Sequence, residues 1–250
     1  MNICIFDTET TSLDKPFCYN VGYVIVNTDD GSTLVERDFV VEQVWHNLPL
    51  FTSAYYADKR EIYVAAMRRH ETIMDKFGYI CRQMRKDFRE YEVKHTYAYN
   101  SPFDERVFNF NCDWYKNLNP FDDMPIHDIR GYAIECLVDD CYKDFCSENN
   151  YFTESGNYST TAEVMYRYIT NNVFFIEDHT ALSDSKIEAE ILLCCKDMGI
   201  DITKDFDCPR SIERKVEKPF NVIKDNEVVY ETTCSSVRYE KTKQTIRLKS

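Results

Sequence analysis

The sequence predicts an α/β protein: a mixed β-sheet flanked by helices, with a C-terminal β-hairpin extension. Three observations carry that expectation. Short apolar segments near the N-terminus, joined by tight turns, are the pattern of an antiparallel start to a sheet. Further on, helix-period segments alternate with short apolar runs, as in chains that cover a sheet with helices. After Asp207 the composition changes: residues 208–250 carry 10 Lys+Arg against 6 Asp+Glu, whereas residues 1–207 carry 20 against 37. We therefore expect one domain over 1–207 and a basic extension over 208–250.

Taken in order, Asn2 to Asp7 is an apolar run ending in acidic and threonine residues, the mark of a buried strand reaching a sheet edge. Tyr23 to Asn27 and Glu36 to Glu42 read as the next two strands, with an Asp29-Asp30-Gly31-Ser32 turn between them. From Ala57 to about Tyr91 the pattern is helical, with Ile73, Phe77, Ile80, Met84 and Phe88 spaced by three or four. His95 to Tyr99 is a short strand, and a helix opens over Phe103 to Asn109. Pro125-Ile126-His127 is a last short strand before a helix carrying Ile129, Tyr132, Ala133 and Cys136. Thr161 to Ile169 is a short helix capped by Thr160 or Thr161. Ser185 to Met198 is amphipathic, with Ile187, Ile191, Leu192, Cys195 and Met198 on one face. In the extension, Glu227 to Thr233 and Val237 to Leu248 alternate as the two arms of a hairpin.

Composition narrows the function classes. A hydrophobic fraction of 44% with 16 Phe and 18 Tyr supplies a sizeable core. Only 6 glycines occur and no GxGxxG or GxxxxGK[ST] string, which argues against a glycine-rich nucleotide loop. The 11 cysteines show no CxxC spacing and read as reduced thiols packed as small apolar residues. The N-terminus has no basic leader and the chain no run of about 18 apolar residues, so we expect a cytoplasmic protein with no membrane partner. A net charge of −13 argues against a tight DNA-coating protein, since phosphate favours basic surfaces. It leaves room for a hydrolase whose carboxylates meet phosphate through divalent cations.

Three strings carry chemistry. In Phe6-Asp7-Thr8-Glu9-Thr10, two carboxylates two residues apart on a strand share one face. Like charges this close call for a cation, and oxygen ligands suit Mg²⁺ or Mn²⁺; alone, the string also reads as surface acids at a strand end. In Ala98-Tyr99-Asn100-Ser101-Pro102-Phe103-Asp104 a strand gives way to a helix beside an aspartate, which by itself is equally a turn and cap. In His179-Thr180-Ala181-Leu182-Ser183-Asp184 an imidazole precedes a carboxylate near a helix start. Glu188 lies one turn further and could share that face as a ligand, but reads first as a solvated or helix-stabilising residue. His46, His70, His95 and His127 lack carboxylates at telling spacing and read as structural or exposed.

Together, in this order, the strings resemble the DEDDh branch of the DnaQ-like 3′-to-5′ exonucleases, which have an RNase H-like fold. That family carries D-x-E, N-x-x-x-D and H-x-x-x-x-D motifs, matched here by Asp7/Glu9, Asn100/Asp104 and His179/Asp184. Phe6, Thr8, Thr10 and Phe103 agree as flanks, Val21-Gly22 resembles the family's second strand, and His127-Asp128-Ile129 its pre-helix segment. The resemblance spans roughly residues 2–199. Tyr99 departs from it, standing where many members have histidine. The stretch between Ala57 and Tyr91 departs too, by its length.

The resemblance implies two divalent cations, Mg²⁺ or Mn²⁺, held by Asp7, Glu9, Asp104 and Asp184, with His179 as general base. Thr8 and Thr10 would neighbour the terminal nucleotide, and Asn100 and Phe103 the penultimate one. The implied reaction releases 5′-mononucleotides from single-stranded 3′ ends, of DNA first and of RNA or short oligoribonucleotides as the alternative. A nuclease-fold binding or scaffold protein without catalysis is the reading from another class, and its signature would be a missing carboxylate. A replication, repair or polymerase partner would suit a proofreading role. In the extension, Arg238, Lys241, Lys243, Arg247 and Lys249 would grip phosphate, with Tyr230 or Tyr239 stacking on bases; basic residues also protect sheet edges.

Overall fold

A computed structural model describes the backbone of residues 1–224 and 227–236 and the side chains up to residue 214. Chain packing divides these into two units, one of Met1–Asp139 with Thr161–Cys208, the other of Asp140–Thr160 with the chain from Pro209.

The first unit is built on a mixed sheet. Its strands are β1 (Asn2–Thr10), β2 (Cys18–Asn27), β3 (Thr33–Val41), β4 (Ile73–Asp75), β5 (His95–Ala98) and β6 (Ile126–Asp128), in the order β4-β3-β2-β1-β5-β6. β1, β2 and β3 form the expected antiparallel meander, while β4, β5 and β6 pair in parallel with β3, β1 and β5. The central position of β1 explains its apolar run: Ile3, Cys4, Ile5 and Phe6 are all fully buried, as a strand covered on both faces requires. β2 begins five residues before the expected Tyr23. The polar Asn20 and Gly22 interrupt the apolar run, yet Asn20 is fully buried.

The continuous helical stretch expected from Ala57 to Tyr91 does not form. α1 (Glu42–Trp45) and α2 (Leu48–Phe51) precede a 3₁₀ turn at Ala57–Lys59 and α3 (Arg60–Arg68). The chain then turns through His70, whose φ of 59° is left-handed and ends the helix, and Ile73–Asp75 pairs with β3 as the edge strand β4. Ile73 thus belongs to no helix face; it is on an edge and 48% exposed. The remaining apolar positions, Phe77, Ile80, Met84 and Phe88, do share the buried face of α4 (Phe77–Glu90).

α5 (Ser101–Tyr115) follows β5, and α6 (Ile129–Leu137) follows β6 with Asp128 accepting from the Arg130 N–H at 3.0 Å. α7 (Asp140–Asn149), which the sequence reading missed, lies in the second unit, and α8 (Ala162–Thr170) is capped by Thr161 in the first. α9 (Ala181–Asp197) starts four residues before the expected Ser185, which brings Asp184 inside its first turn. It also stops before Met198, which is 58% exposed rather than on the apolar face. Among the described residues no helix is long and apolar enough to cross a membrane.

In the second unit the Tyr142 hydroxyl donates to the Ser159 carbonyl at 2.7 Å, and Tyr158 bridges to Phe152 and Ile212. The hairpin consists of β7 (Lys215–Lys224) and β8 (Glu227–Ser236), paired antiparallel from Lys224↔Glu227 to Lys215↔Ser236. Glu227–Thr233 is therefore a hairpin strand, but its partner lies upstream. The arm expected over Val237–Leu248 lies outside the described residues, as do Arg238, Tyr239, Lys241, Lys243, Arg247 and Lys249.

Candidate active site

Asp7 and Glu9 stand near the end of β1, on the face that period two gives them. A register shift between Glu9 and Thr10 breaks the even pairing just past Glu9, with Thr10 pairing on to Cys18. Glu9 is steadied by the Tyr19 hydroxyl, which donates to Oε2 at 3.3 Å. Asp104 arrives from the first turn of α5, is buried, and accepts the Thr8 hydroxyl at 2.6 Å. Asn100 takes a left-handed φ of 61° at the start of that helix, which asparagine tolerates, and its N–H donates to Asp128 Oδ1 at 2.9 Å.

Asp184 is delivered by a close approach of α9 to the sheet. Gly22 is the registered partner of Asp7, and a Cβ there would lie 2.0 Å from the Leu182 nitrogen and 2.1 Å from the Ala181 carbonyl carbon. Only glycine lets the first turn of α9 lie against β2 beside Asp7. The buried Asn20 ties the same turn down: its Oδ1 accepts the Ala181 N–H at 2.8 Å and the Tyr63 hydroxyl at 3.1 Å. Its amide group donates to Asp38 Oδ1 at 2.6 Å and to the Phe39 carbonyl at 2.9 Å. Ser185 adds a bond from its hydroxyl to the Gly22 carbonyl at 3.1 Å.

The outcome is a set of ligand atoms from Asp7, Glu9 and Asp184 that all lie within 4.8 Å of one another. Asp184 is only 7% exposed, and its Oδ1 is buried without a hydrogen-bond partner. His179 stands on the loop before α9 with a φ of 50°, its ring stacked on Tyr56 at 4.5 Å and 15°. Its Nδ1 lies 3.6 Å from Glu177 Oε2. Lys59 donates to the Asp178 carbonyl and sits over the Tyr56 ring at 4.5 Å, so the 3₁₀ turn holds the histidine loop.

Packing these acids together shifts all of them towards protonation. Burial, then the charges of Asp104, Glu188, Asp184 and Glu9, push Asp7 well above the usual carboxylate range. Burial raises Asp104 to about 7 against the opposing Thr8 bond, and Glu9 to about 8 against Tyr19 and Lys59. Asp184 reaches about 9 through burial and the charges of Glu177 and Glu9. His179 moves the other way, lowered by burial and then by Lys59. Oxygen-only donors, a buried partnerless oxygen and like charges that Lys59 offsets only in part fit a divalent metal of the Mg²⁺ or Mn²⁺ kind.

The polypeptide path leads to known structures. The nuclease domain of 3′hExo, a DEDDh family member, bound to rAMP, superposes with a TM-score of 0.54 at 13% identity, over 84% of this chain and 97% of that one. A 3′-exonuclease recognising a histone mRNA stem-loop gives 0.54 at 13% identity, over 92% and 90% of the two chains. The chain has the RNase H-like fold of the DEDDh exonucleases. A full-length 3′-exonuclease agrees, with a TM-score of 0.51 at 15% identity over 92% of this chain and 66% of that one. No family profile matches the sequence, and no curated protein does.

Of the expected site residues, Asp7, Glu9 and Asp184 bring their ligand atoms together, Asp104 is buried on α5 with the Thr8 hydroxyl on it, and His179 lies against Tyr56 and Glu177 on the loop before α9. Thr8 is buried and its hydroxyl is engaged by Asp104, whereas Thr10 is partly exposed and donates to the Ser12 carbonyl at 3.4 Å. Phe103 is half-buried against the core with Arg106 over its ring. Sequence reasoning misjudged Glu188, which is 3% exposed rather than solvated. It also found no carboxylate for His127, whose Nδ1 lies 2.7 Å from Asp205 Oδ1. Tyr56, Lys59 and Asn20 went unnoticed. Asn20 alone left a signal, as a polar residue inside the apolar run of β2.

Proposed function

We propose that the chain is a metal-dependent 3′-to-5′ exonuclease that releases 5′-mononucleotides from single-stranded 3′ ends, with DNA as the first substrate. The observation that carries this reading is the carboxylate cluster of Asp7, Glu9 and Asp184, with Asp104 locked beside it by Thr8. Asp7, Glu9, Asp104 and Asp184 would hold two divalent cations. When bound, these supply charge neutralisation at the phosphate and acidify water. His179 acts as general base. Its Nδ1 faces Glu177, which leaves Nε2 to take a proton from the attacking water. A pKa held below the ordinary imidazole value keeps that nitrogen free at neutral pH. The water oxygen bonds to phosphorus while the bond from phosphorus to the preceding 3′-oxygen breaks. The products are a 5′-mononucleotide and a strand one residue shorter. Thr10, Asn100 and Phe103 lie on the elements that would receive the last two nucleotides, and the Thr8 role is to steady Asp104.

RNA is the second reading, favoured by the rAMP bound to the 3′hExo nuclease domain of the same fold. The test is digestion of 5′-labelled single-stranded DNA and RNA with Mg²⁺ or Mn²⁺. We expect stepwise shortening by wild type, none by Asp7→Ala, and survival of a 3′-blocked strand. Internal fragments, or equal activity of wild type and Asp7→Ala, would sink the reading.

A further inference from the structure

Resting on that exonuclease reading, we propose that Glu188 is a fifth carboxylate of the metal site. None of the three motif strings contains this residue. It follows Asp184 by one turn of α9, and that spacing returns a side chain to the same helix face. α9 lies against β1 and β2, so this face looks onto the strand that carries Asp7.

Its position is fixed by the backbone. Glu188 Oε2 accepts the Tyr99 N–H at 3.2 Å. β5 runs parallel to β1 with Ile5 registered on Tyr97, and two residues beyond that pair stand Asp7 and Tyr99. The bond therefore holds Glu188 at the level of Asp7. The charge of Glu188 is among those that raise Asp7.

A buried carboxylate is paired with a cation, bound to a metal or held protonated, because desolvating a charge is costly. Among the described residues no lysine, arginine or histidine forms an ion pair with Glu188, and the charges that raise it are those of Asp104, Asp184 and Glu177. The partnerless, buried Oδ1 of Asp184, one turn away, is independent evidence that something positive belongs between these side chains.

The test is calorimetric titration of the metal-free full chain with Mn²⁺, together with its melting temperature with and without the ion. Glu188→Gln keeps an acceptor for the Tyr99 N–H and removes the charge. We expect wild type to bind two ions and Glu188→Gln to bind the weaker one about 10- to 100-fold less tightly, the usual loss when a supporting carboxylate is removed. We also expect Mn²⁺ to raise the melting temperature of Glu188→Gln less than that of wild type, since a more weakly bound ion stabilises the folded protein less. Glu188→Asp, which keeps the charge, should fall between the two and serves if the glutamine variant misfolds. Unchanged affinity for both ions in either variant would overturn the proposal. Asp7→Asn separates the two readings. If it loses Mn²⁺ binding while Glu188→Gln does not, only the role of Glu188 fails; if wild type itself binds no Mn²⁺, the exonuclease reading fails with it.

Discussion

Gly22→Ala is the substitution that most directly tests how the site is assembled. The added methyl would meet the Leu182 nitrogen at 2.0 Å and the Ala181 carbonyl carbon at 2.1 Å, both backbone atoms with no rotamer to escape by. Ordinary carbon contacts need about 3.5 Å, so the first turn of α9 must retreat from β2 by roughly 1.5 Å. Asp184 rides on that turn, whereas Asp7 and Glu9 stay with β1. A misplacement of about 1 Å costs on the order of 10²-fold in rate, and overpacking costs about 1–3 kcal/mol or more in stability. Gly22→Ala should therefore lose at least a hundredfold in exonuclease rate on a labelled single strand and melt several degrees lower. Gly78→Ala is the matched control. Its methyl meets the Asn117 side chain, which can swing away, and alanine is the better helix former inside α4. If Gly22→Ala kept both wild-type rate and stability, the close approach of α9 would not be what positions Asp184.

Two pH predictions follow from the shifted acids. Asp104, Glu9 and Asp184 have folded pKa values raised to about 7, 8 and 9, above those of an unfolded chain. Groups raised in this sense favour the folded protein while protonated, and that contribution is lost as pH climbs from about 4 through the folded values. Metal-free protein in EDTA should thus melt progressively lower between pH 5 and 9, by up to about 1.4 kcal/mol per pH unit for each group in play, and saturating Mg²⁺ should remove the slope. A flat or rising melting curve without metal would contradict it. For His179, burial and Lys59 lower the pKa, so the acidic limb of activity at saturating Mg²⁺ should have its midpoint below about 6.5. Lys59→Met should move that midpoint up, and His179→Ala should abolish the limb with a loss of about 10²- to 10⁴-fold; an unmoved midpoint in Lys59→Met would refute the electrostatic part.

What was legible in the sequence is what repeats within a few residues. The sharing of one face by Asp7 and Glu9 follows from strand period alone, and the apolar face of α4 from helical spacing. The broken stretch after Ala57 was not legible, because β4 has three residues and cannot display a period. Ile73 happens to stand four residues before Phe77, which mimics a helix. The early start of α9 was hidden for another reason: what stabilises its first turn is Asn20, on β2, far away in sequence. Glu188 looked solvated since its helix spacing is the same whichever way the face turns. Only the packing of α9 on β1 and β2 decides it.

The same packing explains why the acids tolerate one another. Four or five carboxylates close together repel, and a flexible chain would splay them into water. Here each is tied to an element whose position is set by apolar burial or by neutral hydrogen bonds: Asp7 and Glu9 by a central strand, Asp104 by Thr8, Asp184 by the Gly22 contact and Asn20. The repulsion then cannot relax by movement and appears as raised pKa values instead. A divalent cation that enters releases protons and recovers that energy as affinity. By this argument the neutral residues Thr8, Asn20 and Gly22 matter to metal binding as much as the ligands do. Weakening the scaffold lets the acids separate, so affinity falls although every carboxylate remains.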